Sequence, residues 1–204
     1  MAKLHEGITS EVNHLSTVVE KHRKPESSVD PLFLNRWSSR AFSEQEVSEE
    51  VLSSILEAAT WAPSASNEQP WRFVIARTKE ERALFQDFIN PRNQLWSQKA
   101  PVLILLGSAK KRSNNTPNSS HSFDAGAAWG YLALQAKLLG LNTRAIGGFD
   151  KDKARELLNI PGDIELHAVV ALGYNGNVES LYEDFQKLEI PTSRRSVRKN
   201  IISI

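Results

Sequence analysis

Arg36-Trp37-Ser38-Ser39-Arg40 places two guanidinium groups four residues apart with hydroxyls between them. On an extended backbone alternate side chains share a side, so Arg36, Ser38 and Arg40 would point the same way. Guanidinium forks beside a hydroxyl make a phosphate clamp. The segment taken alone is equally readable as two solvated arginines, the commoner case. A second candidate is the loop Ala62-Pro63-Ser64-Ala65-Ser66-Asn67-Glu68-Gln69-Pro70-Trp71. Its prolines stiffen it, and its short polar groups suit the edge of a flat heteroaromatic ring. An ordinary helix-to-strand turn would have the same composition. A third is the pair Gly147-Gly148 after Ile146, where backbone can approach a neighbour closely. Two basic clusters remain: Lys110-Lys111-Arg112 in a polar loop, and Arg194, Arg195, Arg198 and Lys199 in the tail. Each reads first as solvated charge and second as phosphate contacts. His167 reads as a packed strand residue, with no partner nearby at metal-ligand spacing.

What is missing narrows the chemistry. The chain has no GxGxxG, no GxxxxGK[ST], no HExxH and no GxSxG. It has no cysteine, so thiol catalysis, Cys-based zinc and disulfides are excluded. No carboxylate pair or base is marked, so a catalytic role would fall to a bound cofactor, with the protein supplying position and electrostatics. The balance of 25 basic and 24 acidic residues argues against nucleic acid or an anionic membrane as partner. No apolar run is long enough for a signal peptide or a membrane span, and the expected location is the cytoplasm.

The elements that must position these residues follow from pattern. The stretch from Asp124 to about Leu139 reads as a helix apolar on nearly all sides, interrupted only by Gln135 and Lys137. Such a helix is buried on more than one side, within one core or one shared by two subunits. Gly126, Gly130 and Ala133 form a face of little bulk that another helix could approach closely. Gly140 suits a left-handed cap. Ser43-Glu44-Gln45-Glu46 has capping-box spacing, and Ser48 is a second cap candidate before the amphipathic run ending near Trp61. Thr78-Lys79-Glu80-Glu81 is a further capping box. Strands are expected at 71–76, 102–106, 143–146 and 165–172. Residues 1–29 read as an arm outside the core, with a short amphipathic helix on Ile8, Val12, Leu15, Val18 and Val19 and a solvated basic end at Lys21-His22-Arg23-Lys24. Residues 30–204 form the domain. The loop 110–120 is expected to be mobile.

Taken in order, four of these pieces resemble the nitroreductase family of FMN-dependent oxidoreductases. They are Arg36-Trp37-Ser38-Ser39-Arg40-Ala41-Phe42, the loop Ala62–Trp71, the helix Asp124–Gly140, and Ile146-Gly147-Gly148-Phe149. The likeness spans Leu32 to Arg195, and the second piece is the most specific. The resemblance implies an α+β fold, a mainly antiparallel central sheet flanked by helices. It also implies an intertwined homodimer around the long helix, with two FMN sites at the interface. Arg36, Ser38 and Arg40 would hold the FMN phosphate and the ring edge, with Trp37 contributing backbone. Pro63, Ser64, Ala65 and Ser66 would line the flavin from the other subunit, and Asn67 and Gln69 would hydrogen-bond the ring. Ile146, Gly147 and Gly148 would pass close to the ring and offer a backbone N–H to N5. Arg194 or Arg195 would complete the phosphate site. The implied activity moves electrons from NADH or NADPH to nitroaromatic, quinone or related acceptors by a ping-pong cycle. The flavin carries the chemistry, with no protein nucleophile and no metal. The same resemblance admits flavin reductase, dehalogenase or small-molecule dehydrogenase chemistry, or a non-catalytic flavin-binding dimer.

Overall fold

Four strands make one antiparallel sheet in the order β1–β2–β4–β3, with β1 Trp71–Ala76, β2 Val102–Ala109, β3 Leu141–Ile146 and β4 Ile164–Tyr174. They belong to a computed structural model that describes residues 13–202. The apolar run after Pro101 becomes β2, a central strand buried from Val102 to Leu106. Its alternation divides the core. Leu103 and Leu105 join Phe85, Phe88, Trp96 and Val169 on one side. Val102, Ile104 and Leu106 join Leu52, Ile55, Ala128 and Leu132 on the other.

Helices cover both faces, as the resemblance implies. On the first lie α4 (Lys79–Phe88), α5 (Pro91–Ser97) and α7 (Lys151–Leu157). On the second lie α3 (Glu49–Thr60) and α6 (His121–Leu138). Caps set their starts. Ser48 Oγ accepts the Val51 N–H at 3.3 Å. Thr78 and Glu81 exchange both bonds of a capping box, and the Arg77 N–H, followed by that of Thr78, holds the Glu81 carboxyl below its ordinary range. The box read at Ser43 starts no helix. Phe42 bridges to Asn175 and the Ser43 N–H donates to Tyr174 O, so the chain is held extended beside the end of β4.

The long helix α6 starts three residues earlier than the pattern implied and ends as expected, with Gly140 at φ 79°. Ala125, Ala128, Leu132 and Ala136 bury one of its faces in the subunit. The opposite side stays bare: Phe123 is 82% exposed, and added Cβ atoms at Gly126 and Gly130 would meet nothing within 4 Å among the described residues.

Two sequence expectations change. The N-terminal helix appears as α1 (Thr17–His22), while Ile8 and Val12 lie outside the described residues. The end of α1 is not a solvated basic run throughout, because Arg23 is buried. The loop 110–120 closes on itself instead of hanging free: Lys111 bridges to Pro117, and the Arg112 N–H donates to Thr116 O at 2.8 Å. Among the described residues no helix is long and apolar enough to cross a membrane, and no group of three or more acidic or histidine side chains could hold a metal.

Candidate functional site

The short helix α2 (Pro31–Asn35) aims the first arginine. Asp30 caps it through the Leu32 N–H, and the Arg36 N–H closes its last turn on Leu32 O. The chain then runs extended to Phe42. Arg36 and Ser38 face a cleft of about 410 Å³ whose apolar walls are Phe33, Trp129, Gly130, Ala133, Leu134 and Ala145. The pairing of Arg36 with Ser38 is therefore present.

Arg40 points elsewhere, into a carboxylate that local sequence did not mark. Glu189, from the tail, has a fully buried side chain. It accepts from Ser39 Oγ at 2.5 Å, from the Arg40 N–H at 2.6 Å and from the Ala41 N–H at 3.3 Å. The Arg40 guanidinium meets its other oxygen at 3.5 Å and lies over the Phe185 ring. Arg144, on β3, also went unmarked. It donates to Ser38 O and stacks over Trp96. Burial, then the nearby Arg40 charge, lowers it to about 10, so it stays protonated at neutral pH. Its cation thus fixes the backbone of the very residue whose hydroxyl faces the cleft.

Arg36 has no acceptor among the described residues. Burial lowers its pKa, and Arg194 lowers it further. Arg194 is exposed, and among the described residues it donates only to its own segment, at Thr192 and Ser193. The structure thus couples Arg194, rather than Arg195, to Arg36. Cations gathered without an anion leave a positive potential that a phosphate would relieve.

The loop 63–69 is locked but does not line the Arg36–Ser38 cleft of its own subunit. Ser66, Asn67 and Gln69 all have positive φ, at 53°, 55° and 48°. Left-handed backbone in three non-glycine residues so close together needs outside support. Asp124, buried in the first turn of α6, accepts the Ala65 N–H at 3.1 Å. Ser64 Oγ accepts from Gln69 N–H, and Glu68 accepts from Ser113 in the closed 110–120 turn. Pro63, Ser66, Asn67 and Gln69 are left exposed.

Ile146 is buried in the core, so its side chain is not on offer. The two glycines after it differ. A Cβ on Gly148 would stand 2.9 Å from Asn90 Nδ2, so packing explains that glycine, whereas a Cβ on Gly147 would meet nothing within 4 Å among the described residues. Of the two, Gly147 is exposed and has open space where a side chain would stand.

His167 belongs to a polar cluster away from these residues. Register slips between Leu106 and Gly107, which leaves His167 as the extra residue of a bulge on β4. Ser108 Oγ, fully buried, lies 2.6 Å from His167 Nε2 and 2.7 Å from His121 Nδ1. One hydroxyl can donate to one ring nitrogen and accept from the other. Burial lowers the His167 pKa; Glu165 opposes this, while His121 and Lys151 add to it. The unfolded chain therefore binds this proton at higher pH than the folded one, and stability falls as pH drops below the ordinary value of 6.5. Thermal melts should show a decline from pH 7 toward pH 5 that is shallower in His167→Gln. An unchanged slope would remove His167 from the acid response.

Comparison with known proteins matches this geometry to a family. The nitroreductase family model matches residues 34–96 and 88–174. An Archaeoglobus fulgidus protein, whose name proposes an NADH dehydrogenase or NAD(P)H nitroreductase, is 31% identical over 156 residues, 74% of this chain and 88% of the relative. An NADH dehydrogenase of Thermus thermophilus is 31% identical over 174 residues, 69% of this chain and 83% of the relative. Among solved structures, the crystal structure of an FMN-containing oxidoreductase superposes with a TM-score of 0.85 at 42% identity, covering 88% of this chain and 93% of that one. This chain belongs to the nitroreductase family, and its α+β fold is that of the FMN-containing oxidoreductase.

Proposed function

We propose that this chain is an FMN-dependent NAD(P)H oxidoreductase that works as a cytoplasmic homodimer and reduces nitroaromatic, quinone or related electron-poor acceptors. The observation that carries the reading is Arg36, which has no carboxylate partner among the described residues and reaches into a cleft walled by apolar side chains. Those residues suit a phosphate monoester joined to a flat ring. FMN, when bound, supplies acceptance of a hydride from the nicotinamide and its later delivery to a second molecule, a ping-pong exchange through one cleft.

The protein's part is position and charge. Arg36, Ser38 and Arg194 hold the phosphate. Arg40 is committed to Glu189 and Phe185 outside the lining of that cleft, so its cation acts on the site through its field and not by contact. The loop 63–69 reaches the site from the partner subunit, which accounts for its absence from the cleft of its own chain. Asn67 and Gln69 meet the ring there, and Gly147 offers its backbone from the near side. The bare Gly126–Gly130 face of α6 is the seam along which the second copy closes.

Anaerobic titration of the purified protein tests the reading. The protein should be yellow, and NADH or NADPH should bleach it. A colourless protein that does not take up added FMN would overturn the proposal. Arg36→Ala should weaken FMN binding by about 1.5–3 kcal/mol, the loss of one charge-assisted contact. Unchanged affinity by fluorescence titration would move the clamp elsewhere.

A further inference from the structure

The arm before the family-matched region reaches the phosphate end of this site. The family model begins at residue 34, so the arm lies outside it. The arm is nonetheless docked. The Ser16 N–H donates to Asn35 Oδ1 at 2.9 Å, Asn35 Nδ2 donates to His14 O at 2.7 Å, and Val19 is fully buried. Arg23, which caps α1, is 7% exposed. Its Nη1 donates to Leu34 O at 2.5 Å and to Arg36 O at 3.0 Å. Its Nε donates to Thr192 O at 3.0 Å. One guanidinium thus ties the backbone that carries Arg36 to the backbone two residues before Arg194, segments more than a hundred residues apart in the chain.

We infer that Arg23 is a positioning residue for the FMN phosphate: it sets the spacing between Arg36 and Arg194 and adds a third positive charge behind them. This rests on the FMN reading above. The charge matters as much as the tie. Burial, then Arg194 and Arg36, pulls the Arg23 pKa down to about 10, which still leaves it protonated at neutral pH. No carboxylate pairs with Arg23 among the described residues. A neutral donor would join the same carbonyls without repulsion from two neighbouring arginines. A cation here weakens the unliganded cluster and strengthens its hold on a dianion. The groove beside it, lined by Lys24, Phe33, Arg194 and Arg195, carries further positive charge and one carboxylate, Glu26. That carboxylate accepts from Ser196 Oγ and the Val197 N–H.

Riboflavin has the ring and ribityl chain of FMN but no phosphate, and this allows a clean test. The apo forms of the wild type, Arg23→Gln and Arg23→Lys are titrated with FMN and with riboflavin. Arg23→Gln should weaken FMN about 10- to 100-fold, the scale of a lost charge-assisted interaction, and change riboflavin less than about twofold. Arg23→Lys keeps the charge and loses the fork, so it should recover part of the FMN preference. It also provides the comparison if Arg23→Gln does not fold. Equal weakening of FMN and riboflavin would make Arg23 a general fold residue and overturn the inference, as would a wild-type preference in both variants. A wild-type protein that binds neither flavin would instead sink the FMN reading itself.

Discussion

Gly130→Leu is expected to separate the proposed dimer while leaving the subunit folded. Within one chain a Cβ at Gly130 or Gly126 meets nothing within 4 Å among the described residues, so the side chain starts into open space. Replacing a mid-helix glycine even favours the helix by roughly 1 kcal/mol. The loss must then come from outside the subunit. A two-fold seam meets each substitution twice. Overpacking costs about 1–3 kcal/mol per site, hence about 2–6 kcal/mol per dimer, or roughly 30-fold to ten-thousandfold in dissociation constant. Sedimentation equilibrium would read this directly. Gly130 also lines the cleft, so its leucine obstructs flavin as well. Gly126 does not, and Gly126→Leu should weaken dimerisation with no direct block of the cleft. Dimers of wild-type affinity in both variants would place the seam on another face of α6.

Glu189→Ala should lower the stability of the subunit by about 3 kcal/mol. Its carboxylate gathers the Ser39 hydroxyl, the Arg40 and Ala41 N–H groups and the Arg40 guanidinium at one buried point. Removing it leaves the Arg40 N–H without its acceptor, leaves Ser39 and Ala41 only the bonds they make with each other, and leaves a cation only 15% exposed without a counter-charge. Breaking a buried ion pair from one side costs about 3–5 kcal/mol; the low end applies here, because Arg40 keeps some contact with water. In a chain of this size about 3 kcal/mol corresponds to a melting temperature lower by roughly 6–12 °C. Glu189→Gln keeps an acceptor for the N–H groups and should lose less. If the alanine variant melts with the wild type, Glu189 does not hold the tail to the 36–42 segment.

Sequence by itself determined what depends on near neighbours in the chain. Ser48, Thr78 and Asp150 cap helices through bonds to residues three positions on, and Gly140 takes the left-handed turn that ends α6. The apolar run behind Pro101 could only be a buried strand. The apolar circumference of α6 with its glycine notch pointed to a surface awaiting a partner. Ser43 shows where that reach ends. Its capping spacing was sound, yet a bridge from Phe42 to Asn175 holds the segment extended.

Tertiary structure alone decided which polar groups meet. Glu189 reads as one acid in a polar tail, and only its return to residues 39–41 makes it the fixed point of Arg40. Arg144 is unmarked by its local sequence, and only the packed sheet puts its guanidinium on Ser38 O. Asp124 reads as a dipole-favoured acid in a first turn, whereas its oxygen holds the strained loop at Ala65. Arg23 reads as the solvated end of a helix, and it is buried against carbonyls from three other positions. The physical reason is the same throughout. Hydrophobic period and capping are local, and the chain records them residue by residue. A buried charge is placed by whichever distant backbone the packed core brings within 3 Å, and no local pattern carries that distance.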